Sequence, residues 1–161
     1  MKQNIFQQFL LYKFRYPLAI LLYMVALVGL LSLQLTSVPN GLSQQEMQSA
    51  IDSSLLQPTA EVRVIDLPYH ILQRLSIEFL GLSTLAIKLP SVILGILSGI
   101  GLLLLLGRWF KPNVALISAL FAVTNSIFLT QGRLGTPVVL VIFWSTFLLL
   151  IATLITQQVR G

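Results

Sequence analysis

Five carboxylates, Glu46, Asp52, Glu61, Asp66 and Glu78, all fall between residues 46 and 78, and no acid lies before or after that window. A carboxylate set among cations can take or give a proton while the cations hold a phosphate. Arg63 and Arg74 lie within that window, Lys88 follows it, and Arg133 stands further along. Within NGLSQQEMQSAID, Glu46 stands three residues after Ser43. That spacing is a capping box at the head of a helix, which accounts for Glu46 on residue chemistry alone. The single His70 cannot build a histidine metal site, and it is expected to be an interfacial polar residue. The chain has no cysteine, which excludes disulfides, thiolate zinc sites, iron–sulfur clusters and thiol nucleophiles. Neither a P-loop, a dinucleotide fingerprint, an HExxH helix nor a kinase signature is present. No metal and no cofactor are expected.

The elements that position these groups follow from hydropathy. The chain of 161 residues is 56% hydrophobic and only 9% charged, where a soluble domain carries about 25% charged residues. Four uncharged runs cover 17–35, 89–107, 112–130 and 137–156. Each approaches the roughly 20 apolar residues that cross a bilayer as a helix with its backbone paired internally. Pro17, Pro90, Pro112 and Pro137 sit at or beside the starts of these runs, where a missing N–H leaves nothing unpaired. The expected fold is an all-α polytopic membrane helix bundle, one module over residues 1–161, with about four transmembrane helices. Residues 1–16 form a cytoplasmic amphipathic segment, and 36–88 an outer loop with interfacial helices. In that loop PYHILQRLSIEFL places residues 68, 71, 72, 75 and 79 on one apolar face and His70, Arg74 and Glu78 on the other. Residues 61–65, EVRVI, are strand-like.

Charge sets the orientation. Lys2, Lys13 and Arg15 precede the first run, Arg108 and Lys111 join the second to the third, and Arg160 follows the fourth. With four crossings these share one side, which the positive-inside rule makes cytoplasmic. The acidic loop and the turn QGRLG then lie outside. The net charge of +5 reflects orientation and lipid headgroups, and no nucleic-acid partner is expected. Lys88 is expected at a span boundary, reaching toward the headgroups. Ser91, Gly95 and Gly99 recur at four-residue spacing. They can seam a dimer, but packing within one bundle is the simpler account. Asn125 is expected to hydrogen-bond between helices.

VPNGLSQQEMQSA, LSIEFLGLSTLAIKLPSVILGIL and GRWFKPNVALISALFAVTNSIFLTQGRLGTP, in this order, resemble the N-terminal part of the polytopic GT-C membrane glycosyltransferases of the family-39 type. These include protein O-mannosyltransferases and the aminoarabinose transferases that modify lipid A. The resemblance implies transfer of a sugar from a polyprenyl-phosphate carrier to an acceptor on the outer side of the membrane. It implies a first-loop carboxylate that orients or deprotonates the acceptor, and cations that hold the lipid phosphate. Those roles map onto the Gln45–Glu46 pair, Lys88 at the family's Arg-Leu-Pro position and Arg133 in the outer turn, with Arg74 a further candidate for phosphate contact. Where the family has Asp this chain has Gln45, so Glu46 takes the role of base. Where the family often has an acid after Gly-Thr-Pro, this chain has Val138. Family members are several times longer. The chain is therefore expected to be the N-terminal portion of a longer fold, with the remainder of a split or truncated transferase as a partner beside membrane lipids. The expected location is the plasma membrane. The alternative is a non-catalytic membrane protein of the same fold, a degenerate relative or a partner subunit.

Overall fold

A computed structural model of the chain describes residues 15–33, 35, 42–54 and 66–160. The expected N-terminal amphipathic helix, the strand-like 61–65 segment, Glu61 and Arg63 lie outside the described residues. Within them are seven helices and no strand: α1 (Arg15–Ser32), α2 (Gln44–Ser54), α3 (Leu67–Leu80), α4 (Thr84–Trp109), α5 (Pro112–Val123), α6 (Ser126–Arg133) and α7 (Val138–Arg160). The protein is an all-helical membrane bundle. α4 and α7 are long and apolar enough to cross a membrane, and at 26 residues α4 is about 39 Å long. α4 is the hub, packed against α1, α3, α5, α6 and α7.

The third uncharged run is not one straight span. α5 and α6 are bent by 62° at a break over residues 124–125. The Thr124 hydroxyl donates to Leu120 O at 2.8 Å, and the Asn125 side chain accepts the Ile127 N–H at 2.9 Å. Short polar side chains compete with the helix for its own backbone. Here they end one helix and cap the next, so Asn125 is an N-cap rather than the interhelical bond expected of it.

The small-residue stripe of α4 packs inside the bundle. Leu27 and Leu31 of α1 are fully enclosed, and they fill the space over Gly99 and Gly95; a Cβ on Gly99 would stand 2.8 Å from Leu27 Cδ2. Tyr23 also reaches in and donates to Gly99 O at 2.8 Å.

α3 is turned the opposite way to a helix resting on a soluble core. Its buried residues are Tyr69, His70, Gln73 and Ser76. Its apolar residues Ile71, Leu72, Leu75 and Phe79 face outward, Phe79 with 81% of its surface exposed. Such a face suits lipid, and the exposed apolar side chains along α7 do too.

The polar face of α3 has a defined task. α4 begins at Thr84, where Ser83 Oγ accepts the Ala86 N–H at 3.1 Å. The helix thus starts ahead of the 89–107 run, and Pro90 falls inside it. Proline offers no N–H, so Ala86 O loses its helical partner. The Ser76 hydroxyl donates to that carbonyl at 2.7 Å, and Gln73 Nε2 donates to the next one, Ile87 O, at 3.2 Å. Ser76→Ala should therefore lower the melting temperature in detergent, with a cost of about 1–3 kcal/mol for a buried carbonyl left unpaired. In a Pro90→Ala background the backbone N–H returns, and the same serine substitution should cost markedly less in a double-mutant cycle. Equal costs in the two backgrounds would show that Ser76 does not serve the proline gap.

Candidate functional site

The head of α2 forms the reciprocal cap that its sequence predicts. Ser43 Oγ accepts the Glu46 N–H at 3.2 Å, and Glu46 Oε2 accepts the Ser43 N–H at 2.7 Å. This holds the carboxylate in one orientation and leaves Oε1 directed at the rest of the bundle. Oε1 accepts the Gly135 N–H at 2.8 Å and faces Lys88 Nζ at 3.5 Å. Both side chains of this ion pair are 0% exposed. Three separate pieces of chain, the first loop, the second turn of α4 and the turn before α7, thus meet at one carboxylate.

Each contributor is positioned by local structure. Because α4 starts at Thr84, Lys88 lies within the helix and is enclosed; it does not stand at a span boundary reaching for headgroups. Gly135 is required for close approach. A Cβ there would stand 3.1 Å from both Ile87 O and Ile87 Cγ2, so a side chain would push the turn, and its N–H, away from Glu46. Arg133 ends α6, and its Nε donates to Leu30 O at 2.9 Å while Nη2 donates to the same oxygen. Leu30 is in the last turn of α1, so the guanidinium satisfies a terminal carbonyl and sits at the negative end of that helix.

Around the pair lies a buried polar layer. The Tyr69 hydroxyl and Ser91 Oγ are 2.7 Å apart, and Ser91 Oγ lies 3.5 Å from Thr136 O. Burial pushes the Tyr69 phenol up; the Ser91 hydrogen bond opposes this and the nearby Glu46 charge adds to it. Tyr69 therefore stays neutral, as a second negative charge beside Glu46 would be repelled. Ser53 Oγ is within 2.8 Å of Ser49 O, Gln73 Oε1 and His70 Nδ1. A hydroxyl has one proton to donate. The His70 tautomer carrying its proton on Nδ1 donates to Ser53 and leaves the serine proton for one of the other two. His70 is thus a buried tie between α2 and α3 rather than an interfacial residue.

The structure brings Glu46 and Lys88 into contact and places Arg133 two residues from Gly135. Gln45 and Arg74 stand on exposed helix surface. Sequence reasoning missed Gly135, Tyr69, Gln73 and Ser53. The signals available were the glycine in QGRLGTP and the polar positions 69, 70, 73 and 76, which share a face at helical spacing. Chemically the site is a carboxylate held by two backbone donors and one ammonium. Removing one member of such a buried pair strands the other charge, at about 3–5 kcal/mol. Lys88→Met should lose stability on that scale in thermal melts, and Lys88→Met with Glu46→Gln should regain much of it. A double variant no more stable than Lys88→Met alone would argue that the pair is not coupled.

Comparison with curated proteins and with solved structures gave no match. The pattern of the dolichyl-phosphate-mannose-protein mannosyltransferase family, by contrast, matches residues 68–160 of the 161. That stretch runs from α3 through α7 and contains Arg74, Lys88, Arg133 and Gly135, while Gln45 and Glu46 precede it. With its apolar spanning helices and more than half its length matched, the chain is an integral membrane protein belonging to the dolichyl-phosphate-mannose-protein mannosyltransferase family.

Proposed function

We propose that the chain is the membrane module of a glycosyltransferase that moves a sugar from a polyprenyl-phosphate carrier to an acceptor at the extracytoplasmic face of the plasma membrane. The observation that carries this reading is the carboxylate–ammonium pair where the family-matched helices meet the first loop. In the proposed reaction an acceptor oxygen attacks the sugar's anomeric carbon, and the bond from that carbon to the phosphate oxygen breaks. The acceptor proton passes to Glu46, and the polyprenyl phosphate leaves with the bonding electrons. Lys88 is the candidate to follow the developing phosphate charge, because an ammonium on a flexible stem can exchange one anion for another. Its departure from Glu46 would free Oε1 to act as base. Arg133 and Arg74 are further phosphate-contact candidates, and Gln45 a hydrogen-bonding one.

A second function is favoured by one specific observation. Glu46 is completely enclosed and accepts from Ser43, Gly135 and Lys88, as a purely structural clamp would. On that account the chain is a non-catalytic relative or a partner subunit of a longer transferase.

The two are separated by measuring sugar transfer from a polyprenyl-phosphate donor per folded molecule. A base contributes about 10²–10⁴-fold, so Glu46→Gln should lose at least about a hundredfold in rate per folded molecule. Glu46→Gln with full transfer per folded molecule would sink the catalytic assignment. Sidedness is tested by cysteine labelling in whole cells: Ser54→Cys should react with an impermeant maleimide and Asn113→Cys only after permeabilisation. The reverse pattern would put the carboxylate in the cytosol and end the extracytoplasmic reading.

A further inference from the structure

At the end of the bundle opposite Glu46, α4 and α7 part to leave an open groove of about 470 Å³, lined by Arg108, Ile151, Leu154, Ile155, Gln157 and Gln158. Its lining is layered along the helix axis. Ile151, Leu154 and Ile155 make one apolar strip at i, i+3, i+4 spacing. The two amides follow in the next turn, and Arg108 stands beside them in the last turn of α4. Trp109 and Phe110, each about half exposed, mark the same level; aromatic side chains favour the headgroup zone of a bilayer. The groove thus sets an apolar strip beside a guanidinium and two amides, which match in kind a phospholipid's acyl chain, phosphate and ester linkage. Among the described residues no hydrogen bond or ion pair engages Arg108.

We propose that this groove binds one anionic phospholipid, its phosphate on Arg108 and its acyl chain along Ile151 and Ile155. Charge decides the headgroup class. α4 and α7 both end here, and each helix C-terminus carries about half a negative charge, offset in part by the N-terminus of α5. Arg108 and Lys111 add two full positive charges at this level, and no Asp or Glu side chain lies beyond residue 78. The local balance is positive, so an anionic headgroup is preferred to a zwitterionic one. Arg108 suits a phosphate because its planar fork presents paired donors. Gln157 and Gln158 supply amide N–H groups for the remaining oxygens.

The test uses the full chain purified in detergent, with phosphatidylglycerol, phosphatidylcholine and glycerol 3-phosphate as probes. Native mass spectrometry should show one phosphatidylglycerol retained per chain, with phosphatidylcholine retained at least about tenfold less. Arg108→Gln should abolish that preference, and Ile155→Trp, which fills the strip, should reduce retention of both lipids. Glycerol 3-phosphate should not compete at millimolar concentration, since the acyl strip contributes to binding. Equal retention of the two lipids would overturn the proposal, as would a preference that survives Arg108→Gln. Effective competition by glycerol 3-phosphate would mean a free-phosphate site. A stable dimer that excludes lipid would mean that a second copy covers the groove.

Discussion

An ammonium and a carboxylate sealed together at one end of α4 constrain everything built around them. Enclosing either charge alone costs several kcal/mol, so neither Glu46 nor Lys88 is tolerable inside without the other. Neither is enclosed until α2, α4 and the turn before α7 have come together. The pair is therefore a check on assembly as much as a contact. It works because the partners are held on rigid elements. A cap fixes the carboxylate at the head of α2, the second turn of α4 fixes the lysine stem, and a glycine without Cβ lets the turn approach within hydrogen-bonding distance. The rest of the carboxylate's hydrogen-bonding capacity goes to backbone N–H groups, which have no rotamers to lose.

The same accounting of buried polar groups explains why α3 turns the uncharged face of Tyr69, His70, Gln73 and Ser76 inward while the charged Arg74 and Glu78 stay at its surface. Beside water, an amphipathic helix hides its apolar face. Beside lipid the preference reverses, because the outer medium is as apolar as the core and polar groups find partners only within the protein. Pro90 supplies one such partner. By leaving Ala86 O unpaired it gives α4 an acceptor for Ser76 on the flank that α3 covers, where Gln73 also bonds the neighbouring Ile87 O. A residue that would weaken an isolated helix thus becomes the docking point for its neighbour. The layer continues through Gln73 to Ser49 and Ser53, so α4, α3 and α2 are joined by one chain of hydrogen bonds ending beside Glu46.

What could be read from the sequence was what depends on local pattern. Two of the four uncharged runs gave helices long and apolar enough to span, the first gave a shorter apolar helix and the third a bent pair, and Ser43 with Glu46 gave the cap. Charge parity predicted that the first loop and the QGRLG turn both lie outside; the Gly135–Glu46 bond brings the two to one end of the bundle. What could not be read depends on environment. Periodicity shows that residues 71, 72, 75 and 79 share a face of α3, but not whether that face meets protein or lipid. Lys88 adjoined an apolar run, and only the Ser83 cap, which starts the helix before the run, makes it an interior residue. The break at residues 124–125 turned on whether Thr124 and Asn125 bond their own backbone or another helix, and both choices use the same side chains. Gly135 acts through its N–H, a group that every residue but proline possesses, so its type advertised a close approach and not a contact.

Closure and chemistry are in tension at Glu46, and Lys88 is where the tension resolves. Two donors already occupy the Glu46 oxygen that faces the bundle, so a proton arriving there must displace one of them. Two of the three donors are backbone N–H groups that cannot move without unwinding a cap or a turn. The third is an ammonium on four methylenes. If the carboxylate has a reaction to perform, Lys88 is the donor able to release it, and a phosphate dianion nearby supplies an electrostatic reason to do so. If the carboxylate is only a clamp, the same lysine is what makes the clamp hold. At position 88 the chain carries a residue with a compact charge and a flexible stem. A bidentate fork would bind the carboxylate more permanently; an ammonium leaves the pair able to open.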